Sequence, residues 1–122
     1  MAIFFKKIIK NNKQITYLDL SNFSNDRDNE KSVGGMIFKA LDKSNHCGLQ
    51  TLIIKGNSSW FKNPVTQEDR EENSYMLSQI LRKHRNLKSL DLSDNNFSGE
   101  TTMQLLEMIK IYQLWTLKEL NL

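Results

Sequence analysis

The stretch LKSLDLSDNNF, residues 87–97, decides how this chain folds. Its leucines are separated first by two residues and then by one, with polar side chains in the gaps. Side chains in a β-strand alternate between two faces, so Leu90 and Leu92 are predicted to point into a core while Asp91 points outward. The stretch is therefore predicted to be a short strand with one buried face. Asn95 is expected to bond backbone groups where the chain leaves that strand.

The same motif occurs four times along the chain. The other copies are ITYLDLSNF from residue 15, LQTLIIKGNSS from residue 49 and LKELNL from residue 117. Each copy alone has one apolar face and nothing to cover it, so neighbouring copies are expected to stack into a continuous core. Their strands are then expected to form a parallel sheet, with the intervening chain in an outer layer.

Each interval between motif copies carries apolar residues at helical spacing. The pattern runs over residues 33–41 in the first interval, 76–81 in the second and 105–112 in the third, where Thr101 or Thr102 is the expected cap. Ahead of the first motif copy, four further apolar residues lie opposite lysines on a helical wheel. Those four residues are Phe4, Phe5, Ile8 and Ile9.

The four motif copies resemble the leucine-rich repeat pattern L-x-x-L-x-L-x-x-N-x-L, and the helices between them are similar to those of its ribonuclease-inhibitor-type subclass. The resemblance implies an α/β leucine-rich repeat solenoid, a short horseshoe of about four repeats with a parallel sheet on the concave face and helices on the convex face. Residues 1–14 would form an N-terminal capping helix, and residues 15–122 the four repeats, the last incomplete. The structural positions of the pattern are filled by Leu18, Leu20, Leu52, Ile54, Asn57, Leu90, Leu92, Asn95, Leu120 and Leu122.

Three motif copies depart from the pattern. The second has Ser59 at its last apolar position, and the first reaches Asn22 and Phe23 two residues early, so its turn is expected to be shortened or distorted. The fourth stops at Leu122, before its asparagine. An uncovered edge strand is a template for association. Three explanations stay open: a fragment of a longer repeat protein, a short protein whose last strand pairs with a second copy, or tolerance of a small exposed edge. We expect a homodimer or end-to-end association through the C-terminal repeat.

Composition and motifs argue against several functions. The net charge of +3 is too small for the basic face of a nucleic-acid binder, and no window is apolar enough for stable membrane insertion. Cys47 is the only cysteine, and His46 and His84 lie on different motif copies, so no metal site and no cofactor are expected. No catalytic residues are identified, because phosphate-binding and nucleophile motifs are missing.

The outward-facing strand residues are the candidate binding surface, since solenoids bind partners on such faces. Tyr17 and Ile53 are the strongest candidates, because an exposed aromatic or β-branched side chain can anchor an interface. Asp19 and Asp91 flank Ile53, so the predicted partner offers Lys or Arg around an apolar contact. Plain solvation of the polar positions is the alternative. The predicted partner-binding residues are Tyr17, Asp19, Ile53, Lys55, Ser89, Asp91, Ser93, Trp60 and Phe61.

Trp60 and Phe61 belong to a second candidate surface, the connection at residues 55–65. The two aromatic side chains either fold back to cover the gap left at Ser59 or project as a contact for another protein.

The sequence thus predicts a non-enzymatic protein-binding module, such as an adaptor or an effector. A single cysteine favours the cytoplasm, or a host cell if the chain is a bacterial effector. One alternative comes with the family: GTPase activation of the Ran type, which acts through an arginine in a loop that follows a strand. No such loop has that arginine, and the nearest one is Arg27, seven residues past Leu20. The other is membrane-surface association through the basic amphipathic N-terminal helix, whose lysines are Lys6, Lys7, Lys10 and Lys13.

Overall fold

A computed structural model describes most of the chain. The described residues are 7–9, 11–12, 14–23, 37, 39–43, 48–58, 67–112 and 116–122. Helical residues occur at 7–9 and 11, and again at 37 and 39–43. The longer elements, in chain order, are β1 (Tyr17–Asp19), β2 (Thr51–Ile53), α1 (Gln67–Lys83), β3 (Ser89–Asp91), α2 (Gly99–Tyr112) and β4 (Glu119–Asn121).

The four strands form one parallel sheet in the order β1-β2-β3-β4. Leu18, Leu52, Leu90 and Leu120 lie side by side across it, so equivalent positions of the four motif copies are in register. The prediction of an α/β fold with a parallel sheet and helices between the strands is confirmed. Parallel strands require a crossover between them, and α1 and α2 supply two of these crossovers.

Backbone hydrogen bonds repeat from one motif copy to the next. The carbonyl of Thr16 accepts hydrogen bonds from the N–H groups of both Gln50 and Thr51, at 2.8 and 2.9 Å. The carbonyl of Gln50 accepts the same pair of hydrogen bonds from Lys88 and Ser89. Every strand therefore begins at the same height in the sheet.

The apolar core lies on one face of the sheet. Leu52 and Leu90, at the centres of their strands, are fully buried, and helical residues such as Leu77 and Leu105 pack in the same cluster. Leu18 is only partly buried, because β1 is an edge strand. Fully burying a leucine contributes about 1.5–3 kcal/mol. The other fully buried core residues are Ile9, Leu20, Ile37, Leu41, Leu49, Ile54, Ile80, Leu81, Leu87 and Leu92.

Three residues predicted to face the core are instead exposed. Leu120 and Leu122 keep 37% and 46% of their accessible surface, because β4 is an edge strand and no described element packs over it. Ile8 keeps 37%, whereas the adjacent Ile9 is fully buried. Successive helical side chains point about 100° apart, so this short helical segment directs only one of the two at the core.

The turn after each of the first three strands has the same conformation. Asn22, Gly56 and Asp94 are at the same position of the motif, and all have positive φ, at 51°, 73° and 56°. The first motif copy is therefore not distorted at this position, and the rest of its predicted shortened or distorted turn, after Phe23, lies outside the described residues. Asn22 adopts the left-handed conformation there, which asparagine tolerates better than most residues do. Phe23 takes the motif position that Asn57 and Asn95 occupy in the next two copies.

Two buried asparagines join these turns to one another. The Asn57 side-chain amide donates to the carbonyl oxygens of Leu20 and Ile54, at 2.7 and 3.1 Å. The Asn95 amide likewise donates to Ile54 and Leu92, and its Oδ1 accepts the backbone N–H of Asn57 at 2.7 Å. The expected bonds to backbone groups at the strand ends are confirmed, and they extend across neighbouring motif copies.

Lys83, the last residue of α1, and His84, which follows it, bond the helical segment at residues 39–43. His84 Nε2 donates to the carbonyl oxygen of Leu41 at 3.0 Å, and Lys83 Nζ donates to that of Asp42. The segment at residues 39–43 is thereby tied to the next motif copy.

Helix α2 is capped by Ser98, which lies just before its first residue. Ser98 Oγ accepts a hydrogen bond from the backbone N–H of Thr101 at 3.1 Å. The prediction of Thr101 or Thr102 as the cap is therefore wrong, because both lie inside the helix. Thr102 Oγ1 instead donates back to the carbonyl of Ser98 at 2.9 Å.

Replacing Gly56 with alanine is expected to cost about 1 kcal/mol of unfolding free energy, because an L-residue is strained at positive φ. An added Cβ would also lie 2.0 Å from Asn22 Oδ1, which must rotate away. Gly99→Ala is the matched control, since nothing lies within 4 Å of a Cβ there. Urea denaturation of both variants checks the prediction. Equal stability of the two alanine variants would contradict it.

Candidate functional site

The candidate site is a row of side chains across the exposed face of the sheet. Asp19, Ile53, Asp91 and Asn121 are neighbours in the strand register, one from each strand, and we call them the acidic row. Asp19 and Asn121 are exposed, and Ile53 and Asp91 are half-buried. Ile53 therefore offers only part of its side chain to a partner. Tyr17, two residues before Asp19 on β1, keeps 61% of its surface exposed.

The two aspartates of the acidic row are held by identical local bonds. Asp19 Oδ1 accepts the backbone N–H of Ser21 at 2.8 Å and the hydroxyl of the same serine. Asp91 Oδ1 accepts the N–H and hydroxyl of Ser93 at 2.9 and 2.6 Å. Both arrangements come from the sequence Asp-Leu-Ser, since an aspartate readily bonds the backbone two residues on. Each carboxylate is thus fixed through its Oδ1.

The pKa of both carboxyl groups lies below the ordinary value of 3.8. For Asp19 the hydrogen bonds from the side chain and backbone of Ser21 lower the pKa, against smaller opposing effects of burial and then of the Asp91 charge. For Asp91, burial acts to raise the pKa, and the hydrogen bonds from Ser93 and Asn121, together with the Lys55 charge, outweigh it. Both groups are therefore ionised at neutral pH.

Removing the Ser21 hydroxyl is expected to raise the pKa of Asp19. The hydroxyl hydrogen bond is the largest cause of the lowered pKa, and Ser21→Ala deletes it while keeping the backbone bond. Because the folded-state pKa of Asp19 is depressed, the stability it contributes is present above pH 3.8 and is lost as pH falls through the lower folded value. NMR titration of the Asp19 carboxyl carbon in both proteins checks this.

Ser93→Ala is the matched control for that titration, because it deletes the equivalent hydroxyl beside Asp91. It is expected to leave the Asp19 pKa close to its wild-type value. An unchanged Asp19 pKa in the Ser21→Ala protein would contradict the prediction.

The other predicted site residues have partners of their own. Lys55 is exposed, and its Nζ lies 3.6 Å from Asp94 Oδ2. Ser89 Oγ donates to Glu119 Oε2 at 3.3 Å, and Asn121 Nδ2 donates to Asp91 Oδ2 at 3.5 Å. All of these side chains lie on the same face of the sheet as the acidic row or at its end. Glu119 and Asp94 were not singled out from sequence, although their positions in the motif indicated exposure.

Trp60 and Phe61 lie outside the described residues, as do Ser59, Cys47 and Arg27. Their predicted roles stay predictions. His84 is described and is fully buried, bonded to the Leu41 carbonyl. It therefore belongs to the interior of the fold and not to the candidate site.

A second polar feature was not found from sequence. Arg82 and Arg85 hold their guanidinium carbons 5.9 and 5.2 Å from the centre of the Tyr112 ring. Arg82 lies in the last turn of α1 and Arg85 two residues beyond its end, whereas Tyr112 is the last residue of α2. The sequence indicated only that basic residues lie at the end of α1.

The described part of the chain contains no group of three or more His, Cys, Asp or Glu side chains placed to hold a metal ion. Within the same residues, none of the helices is long and apolar enough to cross a membrane. No protein-family model, curated protein or solved structure matches the chain. The candidate function therefore has to be argued from the geometry of this chain alone.

Proposed function

We propose that this chain is a leucine-rich repeat solenoid of the ribonuclease-inhibitor type that binds a protein partner on the exposed face of its sheet, without catalysing a reaction. The observation that carries the proposal is the acidic row. Register places Asp19 and Asp91 on either side of Ile53, on a face that also holds the exposed Tyr17.

The repeat class is supported by three features that recur in successive motif copies. These are the buried leucines in register, the left-handed residue after the strand and the buried asparagine that bonds the preceding copy. A stack of this kind presents its outward strand residues on a single extended surface.

The chemistry of the acidic row defines the partner. Neighbouring strands are about 4.8 Å apart, so the backbone positions of Asp19 and Asp91 are roughly 10 Å apart, with Ile53 between them. Residues seven apart on an α-helix lie on nearly the same side and are separated by about 10.5 Å. A helix with two Lys or Arg side chains at that spacing and an apolar residue between them fits the row. Tyr17 then offers a large contact area beside it.

The experiment is quantitative affinity capture from cells that express the protein, followed by mass spectrometry. A Tyr17→Ala, Ile53→Ala, Asp91→Ala variant is compared with wild type and with a matched triple variant, Tyr75→Ala, Ile111→Ala, Glu107→Ala. The control removes the same kinds of side chain from exposed helical positions. We expect a partner that the control retains and the sheet variant loses. Equal capture by all three proteins would contradict the proposal.

The two alternative functions have less support. Ran-type GTPase activation needs an arginine at a strand end, and in the described residues the turns at 21–23, 55–57 and 93–96 have none. Membrane-surface association needs the apolar side of the N-terminal segment to be available. Ile9 is instead fully buried in the core, which suits a cap over the first motif copy.

A further inference from the structure

We propose that Arg82, Arg85 and Tyr112 form a binding site for carboxylate side chains of an acidic protein segment. The site lies at the edge of the sheet where the strands begin, because it combines the end of α1, the connection to β3 and the end of α2. It is separate from the acidic row, which is at the other end of the strands. The two proposals do not depend on each other.

The geometry holds both guanidinium groups against one ring. Their carbons lie 5.9 and 5.2 Å from the Tyr112 ring centre, within the range of a cation–π contact. Arg85 Nε also donates to the carbonyl of Arg82 at 3.1 Å, and Thr116 Oγ1 donates to the carbonyl of Arg85 at 3.0 Å. The Arg85 backbone and side chain are therefore fixed before any ligand arrives.

Two like charges are thus held near one ring. No carboxylate of the described residues forms a salt bridge with Arg82 or Arg85, and both side chains are exposed. The terminal N–H groups of a guanidinium form a planar fork that matches a carboxylate. A bound carboxylate would relieve the repulsion between the arginines and accept hydrogen bonds from either of them.

The surroundings extend this charge along the same edge. Lys88 follows Arg85 by three residues, and Lys118 lies beside it on the next strand, its N–H donating to the Lys88 carbonyl at 2.8 Å. Both lysines are exposed. The exposed Glu119 follows Lys118 directly, so the edge does not present an unbroken basic surface to a flat anionic membrane. A narrow acidic peptide can approach the arginines and avoid Glu119, so the occupant is a protein segment.

The test measures binding of a short fluorescein-labelled peptide in which Glu alternates with Gly, by fluorescence anisotropy on the full chain. An Arg82→Gln, Arg85→Gln variant is expected to weaken binding at least about 10-fold, because the peptide loses its charge-assisted hydrogen bonds to both guanidinium groups. Lys7→Gln, Lys39→Gln is the matched control, because it removes the same charge from exposed helical positions. Its affinity is expected to stay close to that of wild type. Circular dichroism confirms that each variant is folded.

An Arg82→Lys, Arg85→Lys variant separates the guanidinium geometry from net charge, because lysine keeps the charge but lacks the planar fork. Binding intermediate between wild type and the glutamine variant supports the proposal. Full affinity in either double variant overturns it, as does wild-type binding to a Gln-for-Glu peptide. Failure of wild type to bind the Glu peptide, or binding only to vesicles containing phosphatidylserine, also overturns it. None of these results depends on the partner of the acidic row.

Discussion

Replacing Asn95 with leucine is expected to lower the free energy of unfolding by about 3 kcal/mol, because three backbone groups of buried residues each lose a hydrogen bond together. The carbonyl oxygens of Ile54 and Leu92 each lose a hydrogen bond, at 3.0 and 2.8 Å, and the backbone N–H of Asn57 loses its acceptor. Leucine has nearly the same size but neither donates nor accepts. The cost is therefore that of unsatisfied polar groups rather than of a cavity.

Urea denaturation followed by circular dichroism measures this cost. Gln104→Leu is the matched control, since it also exchanges an amide side chain for leucine but at an exposed position of α2. The control is expected to change the free energy of unfolding by no more than about 0.5 kcal/mol. A loss in the Asn95→Leu variant no larger than that of the control would contradict the role given to the buried amides.

Replacing His84 with alanine is expected to lower the free energy of unfolding by about 3 kcal/mol, from a lost hydrogen bond and a cavity together. The imidazole is fully buried and bonded through Nε2 to the Leu41 carbonyl at 3.0 Å. Its removal leaves that carbonyl, at the end of a helical segment, without this donor. The contact between two successive motif copies on the helical side of the sheet is then weaker.

The neighbouring Lys83 provides the comparison for His84. Its ammonium group bonds the carbonyl of Asp42, next to Leu41, but the side chain is only half-buried. Water can take the place of a lost bond there, so Lys83→Ala is expected to cost about 1 kcal/mol or less. Thermal unfolding of both variants checks the difference. A larger loss for Lys83→Ala than for His84→Ala would show that burial does not decide the effect.

The sheet was predictable because its signal is local and repeated. Leu90 and Leu92 alternate with polar residues, and the same alternation at Leu18 and Leu52 gave the register once the motif copies were aligned. The bonding of Asn57 and Asn95 to backbone at the strand ends was also predictable, because both residues occupy one position of the motif. Which carbonyls they bond, and in which motif copy, depends on how the strands stack.

Features for which the residue pattern allows more than one arrangement, or leaves no pattern at all, were missed. A helical wheel places Ile8 and Ile9 on one side but does not say which of them reaches the core, and only Ile9 does. The cap of α2 was misplaced by a few residues because Ser98, Thr101 and Thr102 are all good capping residues. The contact of Tyr112 with Arg82 and Arg85 joins the end of α2 to the end of α1 and the residues after it, and leaves no pattern in the sequence.

The candidate site was predictable in outline. The positions of Asp19, Ile53 and Asp91 in a single row followed from counting along the motif, and the register confirms their alignment. The bonds from Ser21 and Ser93 were not anticipated, although the sequence Asp-Leu-Ser occurs in both motif copies and is a usable signal. The sequence does not indicate the depth of Ile53, because burial depends on the side chains of neighbouring strands.

Photo-crosslinking from the exposed face of the sheet tests the central claim most directly. Tyr17 and Tyr75 have nearly equal exposure, 61% and 64%, but Tyr17 lies on β1 beside the acidic row and Tyr75 on helix α1. Each is replaced in turn by p-benzoylphenylalanine, and the protein is irradiated in the cells that express it. A protein-binding sheet face predicts a discrete crosslinked partner from position 17 and none from position 75. A partner crosslinked from position 75 but not from position 17 would contradict the account.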